Sequence, residues 1–312
     1  MSKVVVVGSA NADLVVRVPR RPGGGETLLG GDVQVLPGGK GANQAAAAAR
    51  SGATTRFIGC VGDDANGAFL REQLELAGVD TGGLGQVERP TGTAIILLTP
   101  DGENSIVVSP GANHELSVER VDRAGRGGEA WADGDAVVIS LEIPHPTAFH
   151  AARRAAEAGV RVILNAAPST RLAAELLEVL DPLIVNEHEA LEVLGLDERD
   201  PEAFDYPRLA ARLCEAGARS AVITLGADGA VIAERGAAAA TRVPAYAVQA
   251  VDTTGAGDAF VGAVAAELAA GRSLVDAVRF ATAVSAVSVQ RVGAQVSYAD
   301  RREVEAFIAA AG

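Results

Sequence analysis

Apolar residues recur along the chain with two alternating periods. Short β-branched runs, the strand candidates, lie at residues 4–7, 55–60, 136–141, 160–164, 183–185 and 220–225. Ala- and Leu-rich stretches have the spacing of helices at residues 42–50, 68–77, 147–158, 172–180, 187–194, 207–216, 256–270 and 274–289. This alternation predicts an α/β fold, with a doubly wound, mostly parallel sheet flanked by helices.

Two regions interrupt the alternation. Residues 13–37 are strand-like and rich in Gly and Pro, and residues 93–98 and 105–108 flank a Pro-Asp-Gly-Glu turn that is typical of a β-hairpin. We expect both regions to form one small antiparallel β-sheet, although an ordinary edge hairpin would have the same pattern. Such a sheet often serves as a lid over a substrate. The chain, 1–312, is therefore predicted to be a single α/β domain whose lid is formed by about 13–37 and 93–108.

The charge of the chain argues against some classes of binding partner. Forty acidic residues against 27 basic ones give a net charge of −13, which argues against nucleic acid or an anionic membrane as a partner. No apolar stretch approaches the length of a membrane span, and the chain begins with a β-branched run instead of a signal peptide. Cys60 and Cys214 are too few for a disulfide scaffold or a metal site. We expect a reduced, cytoplasmic setting.

The most informative segment is the glycine-rich start of a predicted helix, Gly255-Ala256-Gly257-Asp258. Backbone N–H groups at a helix start carry partial positive charge and bind anions such as phosphate. A carboxylate beside such a site is suited to act as a general base when a hydroxyl attacks the phosphate. An Asp at this position could equally be a cap for its helix.

Polar residues that suit a sugar follow the first strand and open the first helix. Asn11 and Asp13 lie beyond the carboxyl end of a strand, where ligands of parallel sheets bind, and their amide and carboxylate suit vicinal hydroxyls. Lys40, one of two lysines in the chain, lies one helical turn from Asn43 and directly follows Gly39. The segment is not a Walker A motif. Turn chemistry and a plain glycine-rich helix start would explain the same residues.

Other candidate ligands lie at the ends of later strands. Glu142 ends an otherwise apolar strand, where a ligand contact and a cap for the following helix are both common. Asn186 and Glu189 share the first turn of a helix, where they suit a phosphate and a water-bound Mg²⁺ but also match a capping sequence. Zinc is not expected, because His188 has no second histidine four residues later. The loop at 224–229 suits nucleotide phosphates or a plain hairpin.

A cation site is predicted from two oxygen-rich segments. After the last long helix, the carbonyls of residues 291–297 and the hydroxyl of Ser297 could reach back toward Asp252 and Thr254. Such a cage of oxygen atoms suits a hard cation.

These motifs, in this order and at these separations, resemble the ribokinase family of carbohydrate and nucleoside kinases across essentially the whole chain. The two strongest are residues 38–43 and 252–258. The resemblance implies ATP-dependent phosphorylation of D-ribose at its 5-hydroxyl, giving ribose 5-phosphate and ADP. The alternatives are a kinase for another sugar or nucleoside, such as 2-deoxyribose, fructose or adenosine, and a non-catalytic sugar-binding protein on the same fold.

The resemblance also implies roles for individual residues. Asp258 would be the catalytic base, with the N–H groups of Ala256, Gly257 and Asp258 forming an anion hole after Gly255, which the resemblance also places in the catalytic segment. The sugar would be contacted by Asn11, Asp13, Gly39, Lys40, Asn43, Glu142 and Asp258, and from the lid by Ala94, Ile96 and Val108. ATP would lie along Asn186, Thr224, Gly226, Gly229, Gly257 and Thr282, with Glu189 placing Mg²⁺. A K⁺ site would be formed by Asp252, Thr254, Ser288, Arg291, Gly293 and Ser297. A homodimer through paired lid sheets is expected.

Overall fold

The computed structural model describes residues 2–100, 104–125, 131, 134–197, 199–200 and 204–311. The strands in these residues are β1 (Lys3–Val7), β2 (Asn11–Arg17), β3 (Gln34–Gly38), β4 (Thr54–Gly62), β5 (Val79–Val87), β6 (Gly92–Leu98), β7 (Asn104–Ser109), β8 (Ala136–Ser140), β9 (Arg161–Asn165), β10 (Leu180–Asn186), β11 (Ser220–Thr224), β12 (Ala230–Glu234) and β13 (Thr241–Val243). The α-helices are α1 (Lys40–Arg50), α2 (Ala65–Leu76), α3 (Val118–Ala124), α4 (His145–Glu157), α5 (Ala174–Leu177), α6 (Glu187–Leu194), α7 (Tyr206–Glu215), α8 (Ala256–Ala269), α9 (Leu274–Ser288) and α10 (Arg301–Ala311). Short 3-10 turns lie at Gly111–Glu115, Gly226–Asp228 and Gln295–Ser297.

Nine strands form the large sheet, in the order β13-β12-β11-β10-β9-β8-β1-β4-β5. All neighbours from β11 to β5 pair in parallel, while β12 and β13 extend the sheet antiparallel. In β1, Val4 and Val6 enter one hydrophobic cluster with α1, α8 and α9, while Val5 and Val7 enter a second cluster with α4 and α7. A strand that is buried on both faces has a continuous run of apolar residues. The predicted doubly wound α/β fold is confirmed.

Four strands form the second, smaller sheet, in the order β3-β2-β6-β7. This small sheet was predicted as antiparallel, and the pairs β2–β3 and β6–β7 are so. The β2–β6 pair is parallel, which the prediction did not include. The two strands are separated along the chain by β3, α1, β4, α2 and β5, and a connection of that length can return a strand in the same direction. Residues 101–103 of the predicted turn lie outside the described residues.

One predicted helix is largely wrong. The stretch 172–180 is helical only at Ala174–Leu177, because the fully buried Leu180 already belongs to β10 and pairs with Val162 of β9. Tertiary pairing has overridden an apolar spacing that fits either element. In the part of the chain that the structure describes, no helix is both long and apolar enough to span a membrane.

Two glycines bring the start of α1 against the end of β1. A Cβ on Gly41 would lie 2.6 Å from the Cα of Gly8, and one on Gly8 would lie 2.7 Å from the Cα of Gly41. Neither position can carry a side chain without moving the helix. Gly39, at φ 87°, is similarly confined by the Cα of Ala10. The first turn of α1 is therefore fixed at the carboxyl edge of the large sheet, next to the small sheet.

Candidate active site

Asp258 lies in the first turn of α8, which follows the left-handed Gly255 at φ 73°. Its carboxylate is buried and accepts hydrogen bonds from two amides of α1: Nδ2 of Asn43 at 2.9 Å and Nε2 of Gln44 at 3.0 Å. Gly255 has no side chain that could cap this helix, and Asp258 bonds to α1. The contacts therefore favour a site residue over the alternative of a simple cap.

The ammonium group of Lys40 lies near several carboxylates. Burial raises the pKa of Asp258, and the nearby Lys40 and the two amides oppose that rise. Burial lowers the pKa of the Lys40 ammonium, but Asp258, Glu142 and Glu189 together outweigh it, so the pKa lies above its ordinary value. Lys40 consequently stays charged at neutral pH, where it favours the ionised form of Asp258.

Glu142 links the large sheet to the start of α1. Its Oε2 accepts from the hydroxyl of Ser9 at 2.6 Å and from the backbone N–H of Lys40 at 3.1 Å. The sequence offered a cap for the helix after Glu142 as an alternative to a ligand contact. The carboxylate instead receives an N–H of α1, whose start has no side-chain cap of its own.

Asn11 is held by a residue that the sequence analysis did not identify. Asn113, in the turn Gly111–Glu115, donates from Nδ2 to Oδ1 of Asn11 at 2.7 Å. Its own Oδ1 accepts from the N–H of Ala10 at 2.9 Å. The amide oxygen of Asn11 is thereby occupied, and its amide nitrogen is the group that could donate to a ligand. Asn113 lies about a hundred residues away and belongs to no motif, so the sequence contained no signal for it.

Asp13 is a partly buried acid whose pKa is raised far above its ordinary value. Burial, followed by the nearby Glu142 and Asp258, raises its pKa to about 7. Its Oδ1 is buried and has no hydrogen-bond partner in the described residues. An acceptor without a partner is costly unless a ligand satisfies it, and the hydroxyl of a sugar can do so.

This pKa has a measurable consequence for stability. A folded-state pKa near 7, against an ordinary value of 3.8, means that the stability contributed by Asp13 is lost as pH rises from about 4 to about 7. Asp13→Asn should therefore raise the unfolding midpoint at pH 8 by at least about 1 °C, with a smaller gain at pH 5. Sugar affinity should fall. Thermal unfolding at both pH values measures the effect, and Asp32→Asn, at an exposed site, is the control. A gain that is equal at the two pH values would contradict the assignment.

The small sheet places the predicted lid residues beside Asp13. Ala94 of β6 is the register partner of Asp13 and also of Val108 in β7, so the three side chains share one face. Ile96 lies two residues along β6 on that face. The structure therefore brings these residues together on the face of the small sheet that carries Asp13.

Two adjoining cavities lie on the other side of Asp258. The smaller, of about 160 Å³, is lined by residues of the large sheet, α1, α6 and α8, among them Lys40, Asn186, Glu189 and Asp258. The larger, of about 520 Å³, is mostly apolar and includes Gly226, Gly229 and Thr282 of the predicted nucleotide site. Thr224 and Gly257 line both cavities. The larger cavity is also lined by four residues that no sequence motif indicated: Tyr246, Val248, Phe260 and Val289.

Asn186 and Glu189 form a reciprocal cap at the start of α6. Oδ1 of Asn186 accepts the N–H of Glu189 at 2.9 Å, and Oε2 of Glu189 accepts the N–H of Asn186 at 2.8 Å. The capping interaction, which the sequence offered as the alternative to a ligand role, is therefore present. Both residues also line the smaller cavity, and burial raises the pKa of Glu189.

The predicted cation segments meet at Asp252. Its carboxylate accepts the N–H of Gly293 at 2.8 Å and that of Thr254 at 2.9 Å. Burial raises the pKa of Asp252, but these bonds outweigh it, so the pKa lies below its ordinary value. The hydroxyl of Ser288 is buried without a partner in the described residues, whereas that of Ser297 donates to Ala294.

The side chain of Arg291 bonds outside these segments. Its guanidinium pairs with Glu303 of α10, so only its backbone could face a cation. In the described ranges of the chain, no three His, Cys, Asp or Glu side chains are grouped as a metal site would require.

A buried carboxylate lies at a helix start, between a nucleotide-sized cavity and the polar side chains of β2 and α1. This arrangement suits phosphoryl transfer to a hydroxyl. The chain matches the model of the pfkB family carbohydrate kinases over residues 1–301. It is 39% identical to the ribokinase of Haemophilus influenzae over 307 residues, covering 98% of both chains. The solved Arabidopsis thaliana ribokinase complexed with ribose and ATP has a TM-score of 0.88 and 34% identity, with 98% of both chains covered. A ribokinase from Thermotoga maritima also has a TM-score of 0.88, at 35% identity, with 99% of this chain and 100% of that chain covered. This chain belongs to the pfkB family of carbohydrate kinases.

Proposed function

We propose that the chain transfers the γ-phosphate of ATP to the 5-hydroxyl of D-ribose, giving ribose 5-phosphate and ADP. The observation that carries the proposal is the position of Asp258, a buried carboxylate between the nucleotide-sized cavities and the side chains of β2 and α1. The relative from Haemophilus influenzae, named ribokinase, and the structure complexed with ribose and ATP support the choice of substrates.

Asp258 is the general base in this proposal. Its carboxylate takes the proton of the 5-hydroxyl while that oxygen bonds to the γ-phosphorus, and the bond from phosphorus to the bridging oxygen of ADP breaks. The N–H groups of Ala256, Gly257 and Asp258 and the ammonium of Lys40 stabilise the charge on the phosphoryl oxygens. The other proposed ligands bind and orient the sugar: Asn11, Asp13, Gly39, Asn43 and Glu142, with Ala94, Ile96 and Val108 from the small sheet.

The cavities suit ATP and Mg²⁺ by the chemistry of their walls. The apolar side chains of Tyr246, Val248 and Phe260 suit a nucleobase. Along the nucleotide we propose Asn186, Thr224, Gly226, Gly229, Gly257 and Thr282. Glu189 would hold Mg²⁺ through water, and the bound ion would neutralise phosphate charge.

We further propose a potassium site that stabilises the loop before α8. Its ligands would come from Asp252, Thr254, Ser288, Arg291, Gly293 and Ser297, several of them through backbone carbonyls. The buried hydroxyl of Ser288, which has no partner among the residues that the structure describes, and the lowered pKa of Asp252 support a cation there. Turnover should therefore be higher in potassium than in sodium at equal ionic strength. Equal turnover in both would contradict the site.

The substrate is tested by coupled ADP release over a panel of pentoses, hexoses and nucleosides. Ribose is expected to give the highest kcat/KM. A higher value for 2-deoxyribose, fructose or adenosine would replace ribose with that substrate. If the folded protein bound ribose by calorimetry but released no ADP with any member of the panel, the non-catalytic sugar-binding alternative would hold.

We propose that the chain is a single domain whose small sheet closes over the sugar, and that two copies pair through these sheets. The sheet exposes apolar side chains that include Val35, Ile95, Ile106 and Val107, between 44% and 66% exposed. Its end strands β3 and β7 offer edges for such pairing. The cytoplasmic location stays a prediction.

A further inference from the structure

Both oxygens of the Asp258 carboxylate are held by amides. Asn43 donates to Oδ2 and Gln44 donates to Oδ1. Asn43 is one of the proposed sugar ligands, whereas Gln44 is fully buried and so far has no role. The amide nitrogen of Gln44 also donates to Oδ1 of Asn165, the last residue of β9, at 3.0 Å. The base is thus connected through Gln44 to the large sheet.

The direction of this chain of amides is fixed at its far end. Nδ2 of Asn165 donates to the backbone carbonyl of Ile184 at 3.2 Å, and a carbonyl can only accept. Asn165 must therefore present its oxygen to Gln44. Gln44 in turn must present its NH₂ group, with one hydrogen for Asn165 and the other for Asp258. The flip of each amide follows from this network.

We propose that Asn165 and Gln44 form a positioning relay that holds the general base through oriented hydrogen bonds. The relay starts at the carbonyl of Ile184 in β10 and ends at Oδ1 of Asp258. It fixes the carboxylate relative to the sheet and supplies a donor that stabilises the ionised form more than the protonated form. The proposal rests on the role of Asp258 in the proposed function.

The amide oxygen of Gln44 makes this residue costly for the fold. Its Oε1 is buried and has no hydrogen-bond partner among the described residues. The neighbouring positions of α1 from 45 to 48 are buried alanines. An apolar side chain at position 44 would avoid the penalty for the buried oxygen. Removing the amide also takes a donor from Oδ1 of Asn165 and from Oδ1 of Asp258, so the two effects on stability oppose each other. A relay role therefore predicts slower turnover together with a shifted pH profile.

Several charged or titratable groups face Asp258 besides the relay. They are Lys40, Glu142, Asp13, Glu189 and Tyr298. A change at Gln44 leaves all of them in place. A shift in the acid limb of the kcat–pH profile would then report on the donor that Asp258 has lost.

Gln44→Met is the direct test, because it removes the amide while roughly keeping the length of the side chain. We expect kcat to fall about 10- to 100-fold, as for the loss of a hydrogen bond to a charged group. The acid limb should move up by about one pH unit, with the KM for the sugar within about threefold of wild type. Gln73→Met in α2 is the matched control and should change none of these quantities.

Asn165→Ala tests the relay one step further back. It should lower kcat less than Gln44→Met does, with an upward shift of the acid limb. The double variant should be no slower than Gln44→Met alone, because both substitutions interrupt one chain of bonds. Losses that multiply, or an unchanged pH profile in Gln44→Met, would overturn the relay.

The relay and the proposed function can fail separately. Wild-type turnover is measured first, and its absence with ribose counts against the proposed substrate alone. The variants are then compared on the sugar that wild type uses best. If Gln44→Met does not fold, the pH profile of Asn165→Ala decides: a shift supports the relay, and an unchanged profile contradicts it.

Discussion

Replacing Asp258 with Asn is expected to lower kcat by at least about two orders of magnitude, because a positioned base contributes roughly 10²–10⁴-fold. An asparagine has nearly the same shape but cannot take the proton of the attacking hydroxyl. Sugar affinity should be largely kept, since the other proposed ligands are unchanged. Steady-state kinetics gives kcat, and calorimetric titration with ribose gives the affinity.

Asp276→Asn is the matched control for this experiment. Asp276 occupies the third position of α9, as Asp258 does in α8, but it bonds to its own helix cap, Ser273, at an exposed site. Loss of a carboxylate from a helix start is thus common to both variants, and only one is expected to lose turnover. Near-normal kcat in Asp258→Asn would remove this residue from the role of base.

The second large effect is expected at Gly255, the residue that turns the chain into α8. It has φ 73°, and a Cβ there would lie 2.6 Å from the Cβ of Ala294 and 2.7 Å from the hydroxyl of Tyr298. That hydroxyl donates to the carbonyl of Gly255 at 2.9 Å, so the turn is held closely on both sides. Gly255→Ala should displace the N–H groups of the anion hole and lower kcat by about 10²-fold.

Gly271→Ala separates this displacement from backbone strain alone. Gly271 has a similar φ of 78°, but a Cβ there would have no neighbour within 4 Å. Each substitution should cost about 1–2 kcal/mol for a left-handed alanine. Only the one at Gly255 should also slow turnover, whereas Gly271→Ala should keep kcat within about twofold. Equal kinetics in two folded variants would contradict the proposed anion hole.

The sequence predicts the architecture where its patterns are strong. The valines of β1 and the helical spacing of residues 187–194 give elements close to those observed. The pattern fails at β5, whose sequence Val-Asp-Thr-Gly-Gly-Leu-Gly-Gln-Val is interrupted by glycines, so this strand was missed. Glycine weakens a strand pattern locally, while pairing with β4 stabilises the strand in the fold.

The candidate site divides in the same way. Positions at strand ends and helix starts, such as Asp13, Lys40 and Asp258, are predictable because ligands of parallel sheets bind at one edge. Residues that hold them are not. Asn113 and Gln44 act across separations of 102 and 214 residues, and their partners are set by tertiary contacts.

The segment after α9, residues 291–297, shows the same limit. Gln295 donates from Nε2 to Oδ1 of Asn43 at 3.0 Å, which leaves the amide nitrogen of Asn43 for Asp258. Cation ligands were predicted at Gly293 and Ser297, on either side of Gln295, but the side chain of Gln295 had no predicted role. Its contribution depends on the position of α1, which no local pattern records.

The most direct test of the account identifies the product of the purified protein with ATP, Mg²⁺, K⁺ and D-ribose by ³¹P NMR. The account predicts that a resonance of ribose 5-phosphate appears as the γ-phosphate of ATP is lost, at a rate at least about 100-fold lower in Asp258→Asn. It would be contradicted if ATP gave inorganic phosphate or a different phosphate ester, or if Asp258→Asn formed ribose 5-phosphate at the wild-type rate.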